Sequence, residues 1–222
     1  MKDVSIVIVG LFIGITHCID DMQVKEQWLQ LDAGKVEDKA PGAWCQKADW
    51  ELEEKEMLKN ITVELLSQND VENAIEMIMK VYIEVENLDI TLQEARTEWD
   101  NDNDLEDCED INRSYFENGG IFLIARDGQK IIGSGSIKKI DNESCELKRM
   151  YLLKEYRAKK IGYAIVSQLL GFAQKSGYKE VYLSVWKKNT QQRAIAFYEK
   201  LGFQECLRYS NESAEIFMRK SF

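Results

Sequence analysis

The sequence has very little histidine and proline. It contains one histidine, His17, and one proline, Pro41, in 222 residues. His17 lies in an N-terminal stretch that resembles a removable leader, so the mature chain would contain no histidine. Such a chain has neither a Ser-His-Asp or Cys-His mechanism nor a histidine-based metal site. Acid–base chemistry must therefore come from carboxylates, tyrosine, lysine or cysteine.

An excess of basic charge is also lacking. The formal net charge is −10, whereas nucleic-acid-binding domains are typically basic, so we expect no nucleic-acid partner. The 5 cysteines are scattered, and their spacing is typical of neither a disulfide framework nor a zinc site. We interpret them as ordinary buried thiols and expect no bound metal.

The N-terminus carries the longest apolar run. Residues 4–15 are apolar or small and follow Lys2. The run is shorter than the roughly 20 residues that a membrane-spanning helix needs, but it fits the hydrophobic region of a secretory leader. We predict a signal peptide at residues 1–18, no stable membrane span, and a protein of the secretory pathway or a secreted one. A buried N-terminal strand in a cytoplasmic protein is the alternative.

Four Asn-x-Ser/Thr sequons favour the same route. They would make the protein a glycoprotein if the chain enters a eukaryotic secretory lumen. The acceptors are Asn60, Asn112, Asn142 and Asn211. We predict that residues 19–58 are an extension or linker of unknown role, and that residues 59–222 form the main domain.

Within the main domain, the hydrophobic periodicity predicts the order β-α-α-β-β-β-α-β-α-β-β. A helix follows Asp70, which is a natural N-cap. A hairpin turn at Asp127-Gly128 joins two apolar strands. This order favours an α/β (α+β) fold with a mixed central sheet of about seven strands and helices on both faces.

One strand-to-helix junction has an unusual composition. The strand CELKRMYLL is followed by EYRAKKIGYA, residues 155–164, where the next helix begins. Unpaired N–H groups and the helix dipole make such a helix start a phosphate site. Arg157, Lys159 and Lys160 oppose the dipole unless an anion is present, and Gly162 permits close approach. We predict an anion site, with a solvent-exposed basic turn as the alternative.

Three motifs carry a resemblance to a known family. With ELKRMYL, YRAKKIG and AIAFYEKLGF, the domain at residues 59–222 resembles the GNAT superfamily of N-acetyltransferases, whose loop signature is Q/R-x-x-G-x-G/A. Arg157 and Gly162 match this signature. Lys160 replaces its first glycine, and many relatives also have glycine where Ala158 stands. An added lysine can compensate for these departures by its charge.

The resemblance implies that acetyl-CoA is the co-substrate. The fourth-strand residues Met150, Tyr151 and Leu152 match those whose backbone binds the pantetheine arm. The following loop matches the segment that cradles the pyrophosphate, which comprises Arg157, Ala158, Lys159, Lys160, Ile161, Gly162 and Tyr163.

The resemblance also implies two catalytic residues. Tyr198 matches the tyrosine that protonates the leaving thiolate, although it could simply be a buried aromatic. Glu146 lies where some members place a general base, which would act through a water; a salt bridge with Lys148 or Lys138 is the alternative. Gln191 stands where the family often has an asparagine.

An acidic run spans Glu98 to Asp110, with eight carboxylates in thirteen residues. In the implied fold it borders the acceptor site, where negative charge would attract a cationic acceptor. We favour a solvated helix face for this run. The Asp-x-Asp-x-Asp spacing is not an EF-hand, because Leu105 and Ile111 replace the required glycine and glutamate.

The resemblance therefore predicts an acyltransferase that moves an acetyl group from acetyl-CoA to a primary amine, by direct attack in a ternary complex. The expected partners are a small-molecule or peptide amine, cationic ones included, and a second copy of the chain in a homodimer. A non-catalytic, secreted binding protein of the same fold is the alternative. The altered loop and Gln191 favour that alternative.

Overall fold

The computed structural model describes residues 60–222, apart from residues 103 and 211–212 and the side chain of Asp102. These residues belong to one unit of the chain, 58–222. The predicted signal peptide and extension lie outside the described residues, so their boundaries stay predictions.

Seven strands form a single sheet in the described part of the chain. They are β1 (Ile61–Leu65), β2 (Ile121–Asp127), β3 (Lys130–Lys139), β4 (Ser144–Leu152), β5 (Glu180–Val185), β6 (Gln204–Glu205) and β7 (Ile216–Ser221). Their order across the sheet is β1-β2-β3-β4-β5-β7-β6. The β4–β5 pair is parallel and the other neighbouring pairs are antiparallel. The predicted mixed sheet is therefore confirmed.

Six α-helices accompany these strands in the described residues. They are α1 (Val71–Glu86), α2 (Leu92–Asp102), α3 (Glu106–Glu109), α4 (Ile111–Ser114), α5 (Ile161–Lys175) and α6 (Gln192–Lys200). The second predicted helical region is broken into α2, α3 and α4. Asp110 separates the last two, because its carboxylate accepts a hydrogen bond from the Arg113 N–H at 3.0 Å and so caps α4.

Helices cover both faces of the sheet. Phe122 and Ile124 of β2 belong to a buried cluster with the apolar residues of α1. The opposite face of β3 receives α5, where a Cβ at Gly135 would lie 2.8 Å from Ile165 and 2.9 Å from Leu169. Gly135 thus allows α5 to approach the sheet closely. Within the described residues, no helix is long and apolar enough to cross a membrane.

Two local predictions differ from the structure. Asp70 precedes α1, but its carboxylate pairs with Arg126 at 2.6 Å and caps no helix N–H. The pKa of Asp70 is lowered, first by the hydrogen bond from Arg126. The strand predicted after Gly202 is only two residues long, so Tyr209 lies beyond β6.

The cysteines of the described region are free thiols, as predicted. Cys108 and Cys145 are buried, and Cys206 is half-buried. Burial raises the pKa of the Cys108 and Cys145 thiols to about 12. Both therefore stay protonated at neutral pH, and thiols in this state are poor nucleophiles.

Candidate active site

The sheet contains a gap between β4 and β5. The two strands pair over only three positions, Ser144 with Glu180, Cys145 with Val181 and Glu146 with Tyr182. On its other side, β4 stays paired with β3 as far as Leu152. Within the described residues, positions 147–152 therefore present one edge of β4 with no strand paired to it. Such an edge offers backbone N–H and C=O groups to a ligand.

A bulge changes the direction of β4 inside this gap. Arg149 has a φ of +54°, and the β3–β4 register shifts between Ser134 and Ser136. The Ser134 hydroxyl fixes the bulge by donating a hydrogen bond to the Arg149 carbonyl at 2.7 Å. Bulges of this kind re-aim the residues that follow, which here are the predicted pantetheine-binding residues Met150 and Tyr151.

The loop between β4 and α5 has two left-handed residues. Ala158 and Lys160 have φ values of +63° and +62°. These are the two positions at which the family resemblance leads us to expect glycine. A residue with a Cβ costs about 1–2 kcal/mol in this conformation. The loop therefore keeps a backbone that favours glycine, even though this sequence has none at either position.

The start of α5 has no side-chain cap. Lys160 is the N-cap and forms no side-chain cap hydrogen bond, so its side chain does not satisfy the first N–H groups of the helix. A Cβ at Gly162 would meet only Leu152, at 4.0 Å. Packing within the described residues thus does not require glycine there, and the space can admit a ligand. The Ile161 side chain is buried, which leaves its backbone as the available group.

The cations of the loop have different surroundings. Lys160 is exposed. The Lys159 ammonium lies 5.7 Å from the centre of the Tyr156 ring. Their charges lie beside the helix start, which already carries a partial positive charge, so an anion would be attracted there.

Arg157 contacts protein groups on two sides. Its Nε donates to the Leu152 carbonyl at 3.0 Å, and its two Nη atoms donate to the Glu84 carboxylate at 3.0 and 2.6 Å. Arg157 therefore ties the loop to the end of β4 and to α1. Direct binding of phosphate by Arg157 stays a prediction, and Glu84 is the group with which a phosphate would compete.

The last turn of α1 also holds the loop after β5. The Glu86 carboxylate is 7% exposed and lies 2.9 Å from the Lys187 ammonium. Gln191, which replaces the asparagine expected from the family, approaches the same carboxylate at 3.5 Å. Glu84 and Glu86 thus connect α1 to the segments on both sides of the gap.

Glu146 lies at the closed end of the gap. Its side chain is buried, with 8% of the residue exposed. The Tyr209 hydroxyl donates to its Oε1 at 2.5 Å, and the Lys148 ammonium lies 3.5 Å from its Oε2. The salt bridge with Lys148, which was the alternative to a catalytic role, is present, and Lys138 is the cross-strand neighbour. No sequence motif marks Tyr209.

Tyr198 lies on α6, which follows β5. The residue is 8% exposed, and its ring packs against Phe197 and Phe203 at centroid distances of 5.4 and 5.8 Å. Burial raises the pKa of Tyr198 well above its ordinary value, and the neighbouring Tyr151 raises it further. The phenol is therefore protonated at neutral pH. Tyr151, whose electrostatic influence reaches the Tyr198 phenol, belongs to β4.

The acidic run is not uniformly solvated. Asp107 is only 6% exposed, and the Arg149 guanidinium lies 2.6 Å from its Oδ1. The Tyr115 hydroxyl also donates to Asp107. Burial opposes ionisation of this carboxyl, but Arg149 and the two hydrogen bonds outweigh it and lower the pKa of Asp107.

The other described carboxylates of the run are exposed. They are Glu98, Asp100, Asp104, Glu106, Glu109 and Asp110. The prediction of a solvated face is thus correct for these six and wrong for Asp107. Within the described residues, no cluster of three or more acidic, cysteine or histidine side chains could hold a metal ion.

Comparison with known proteins agrees with this arrangement. The model of the acetyltransferase (GNAT) family matches residues 85–203. Human N-acetyltransferase 8B is 33% identical over 105 residues, which are 45% of each chain. An uncharacterised N-acetyltransferase of Schizosaccharomyces pombe is 27% identical over 130 residues, which are 58% of this chain and 73% of that one. The aligned region thus spans a little under half the length of the human relative, at 45%.

Solved structures agree as well. A GNAT-family acetyltransferase from Staphylococcus aureus has a TM-score of 0.60 and 24% identity, covering 72% of this chain and 98% of that one, and establishes the fold. The PaiA N-acetyltransferase of Thermoplasma acidophilum, in complex with coenzyme A, has a TM-score of 0.58 and 26% identity over 73% of this chain and 99% of that one. The predicted family and fold are confirmed, and the chain belongs to the GNAT family of acetyltransferases.

Proposed function

We propose that the chain is an acetyl-CoA-dependent N-acetyltransferase that acetylates a primary amine by direct attack in a ternary complex. The observation that carries this proposal is the gap between β4 and β5, which leads into a helix start with no side-chain cap. An extended polar arm can pair with the edge of β4, and a pyrophosphate can bind the helix N–H groups.

The residues present fit such a ligand. The edge at residues 150–152 would bind the pantetheine arm through its backbone. The loop of Ala158 and Lys160 would turn its N–H groups toward the pyrophosphate, beside the space at Gly162. When bound, acetyl-CoA supplies the thioester carbonyl that the amine attacks.

Glu146 and Tyr198 are the groups proposed to move protons. Glu146, directly or through a water, takes one proton from the acceptor ammonium and frees the nitrogen lone pair. As the C–N bond forms and the C–S bond breaks, the Tyr198 phenol gives its proton to the departing sulfur. The excess proton of the new amide nitrogen returns to Tyr198. The net products are the amide, the free thiol and one proton, which Glu146 releases to solvent.

The acceptor proposed for this site is a cationic amine. The exposed carboxylates of α2 and α3 and the net charge of −10 favour a positively charged partner by long-range attraction. Spermidine and a lysine-containing peptide are suitable probes, because both carry primary ammonium groups.

Calorimetric titration of acetyl-CoA into the full chain tests the cofactor site. We compare Lys160→Glu, at the start of α5, with Lys175→Glu, at its end, since both substitutions change the net charge by the same amount. Lys160→Glu should weaken binding about 10-fold through lost charge pairing with the pyrophosphate. Lys175→Glu should leave the affinity unchanged.

Two results would contradict this proposal. Equal weakening in both variants would mean that net charge alone attracts the ligand. If the unsubstituted chain does not bind acetyl-CoA at millimolar concentration, the proposed enzyme function is ruled out. The non-catalytic interaction protein would then be favoured.

We also propose that the chain enters the secretory pathway, as its N-terminal sequence predicts. Asn60, Asn112 and Asn142 are exposed, and Asn142 lies in the turn between β3 and β4, where a glycan has room. Expression of the full chain in mammalian cells should give a band that glycosidase shifts, and Asn142→Gln should reduce that shift. An unchanged band after glycosidase treatment would contradict the proposal.

A further inference from the structure

A tyrosine distant in sequence contacts the buried carboxylate of the gap. Tyr209 lies between β6 and β7, and its hydroxyl donates to Glu146 Oε1 at 2.5 Å. This distance is at the short limit of ordinary O–H···O hydrogen bonds. The contact joins residues that are 63 positions apart, so no local sequence pattern could reveal it.

The ring of Tyr209 is held by two aromatic neighbours. Tyr182 packs against it with a centroid distance of 4.7 Å, and Phe217 meets it edge-on at 5.4 Å. Tyr182 is the partner of Glu146 at the last β4–β5 pair. Because the ring is packed on both sides, its hydroxyl is directed at the closed end of the gap.

Two lysines and a hydroxyl face Glu146. Lys148 lies 3.5 Å from Oε2, and Lys138 faces Glu146 across the β3–β4 ladder. A buried carboxylate tends to take up a proton, whereas hydrogen-bond donors and cations oppose this. The Tyr209 hydroxyl is a neutral donor that contributes to this balance and fixes the direction of the carboxylate.

We propose that Tyr209 is a positioning residue that orients Glu146 and keeps it ionised, so that Glu146 can take the proton of the acceptor ammonium. This inference rests on the proposed role of Glu146 as the base. Tyr209 acts through Glu146 and is not assigned any contact with the substrates.

A matched pair of hydroxyl deletions tests the inference. Tyr209→Phe removes the hydroxyl that contacts Glu146 and retains the ring. Tyr182→Phe removes a hydroxyl of the same aromatic stack that donates to Glu180 at 2.6 Å instead. Both variants are made in the full chain, and circular dichroism verifies their folding.

The first readout does not depend on activity. Glutamate labelled with ¹³C at the carboxyl reports each titration by NMR, and the signal lost in Glu146→Gln identifies Glu146. In Tyr209→Phe, we expect the titration midpoint of Glu146 to rise by about one pH unit, because a hydrogen bond to the charged form is lost. Tyr182→Phe should leave the titration midpoint of Glu146 unchanged. An unchanged midpoint in Tyr209→Phe overturns the inference.

The second readout is the pH dependence of spermidine acetylation. In Tyr209→Phe, the acid limb of kcat/KM should move upward by the same amount, while the affinity for acetyl-CoA should not change. If the titration midpoint of Glu146 shifts while the acid limb of kcat/KM stays in place, the Tyr209–Glu146 contact is purely structural. This result would also overturn the inference. If the unsubstituted chain acetylates no amine, the proposed function fails, and the midpoint alone decides whether Tyr209 holds Glu146 ionised.

Discussion

Asp107 and Glu146 are both buried acids close to β4, yet their surroundings differ. Asp107 is paired with the Arg149 guanidinium at 2.6 Å and accepts a second hydrogen bond from Tyr115. Glu146 accepts a hydrogen bond from the neutral Tyr209 hydroxyl and has a lysine ammonium 3.5 Å away. Asp107 belongs to a packed cluster at the bulge, whereas Glu146 lies at the closed end of a gap in the sheet.

The difference separates a structural acid from an acid suited to proton transfer. A close contact with a guanidinium holds a carboxylate ionised and lowers its basicity. Glu146 instead faces a neutral hydroxyl and an ammonium 3.5 Å away, at the end of a gap that a substrate can enter. The partners of a buried acid therefore indicate its role more reliably than burial does.

The largest expected effect is on the stability contributed by Asp107. Asp107→Asn leaves the Arg149 cation, whose side chain is only 13% exposed, without its counter-charge. This change should cost about 3–5 kcal/mol of unfolding free energy. Urea unfolding measures this loss. Glu106→Gln, an exposed neighbour in α3, is the control and should change stability by less than about 0.5 kcal/mol. Similar losses of unfolding free energy in both variants would show that the Asp107–Arg149 pair contributes no more to stability than an exposed carboxylate does.

The second effect concerns turnover. Glu146→Gln should lower kcat/KM by about 100-fold or more, because removal of a general base has effects of this order. Folding and the affinity for acetyl-CoA should be retained. Glu143→Gln, on the exposed turn before β4, should leave turnover unchanged. The opposite pattern would be unfolding in Glu146→Gln and loss of turnover without unfolding in Asp107→Asn. That pattern would reverse the roles assigned to the two acids.

A smaller effect is expected when the guanidinium becomes an ammonium. Arg149→Lys retains the charge but loses the forked contact with Asp107, which should cost about 2 kcal/mol. Denaturant unfolding is again the measurement, with the exposed Arg113→Lys as the control. The ¹³C titration of Glu146 should not move, since Arg149 is assigned to the other cluster; a shift would mean that the two acids are coupled.

The smallest effect is the acid dependence of stability. The pKa of Asp107 is lowered in the folded state, so its contribution is fully present above its unfolded pKa of about 4 and is lost as pH falls through the folded value. Urea midpoints from about pH 6 to about pH 3 should decline less steeply in Asp107→Asn than in the unsubstituted chain. Parallel curves would mean that other carboxylates govern acid unfolding.

The sequence predicted well what depends on neighbouring residues. Alternating and helical periodicities gave the order of strands and helices. The match of residues 157–162 to the family loop signature located the loop before α5. Ala158 and Lys160 adopt a left-handed conformation that favours glycine, although neither is glycine. These features arise from short-range backbone and burial preferences, which the local sequence contains.

The sequence did not predict contacts between distant segments. Asp107 was placed among solvated carboxylates, because Arg149, its partner, is 42 residues away. Arg157 was assigned to phosphate, yet its guanidinium contacts Glu84, 73 residues away. No sequence motif contains Tyr209, and its partner Glu146 is 63 residues away. Such pairs depend on how the elements pack, which periodicity does not describe.

The open edge of β4 has a consequence for the lifetime of the protein in a cell. In the proposed function, acetyl-CoA binds at this edge. Its pantetheine arm then completes the hydrogen bonding of β4, so the ligand serves as an additional strand of the sheet. A ligand present at a hundred times its dissociation constant stabilises the native state by about 2.7 kcal/mol. The abundance of this protein would then follow the supply of acetyl-CoA, because degradation acts chiefly on chains that have opened.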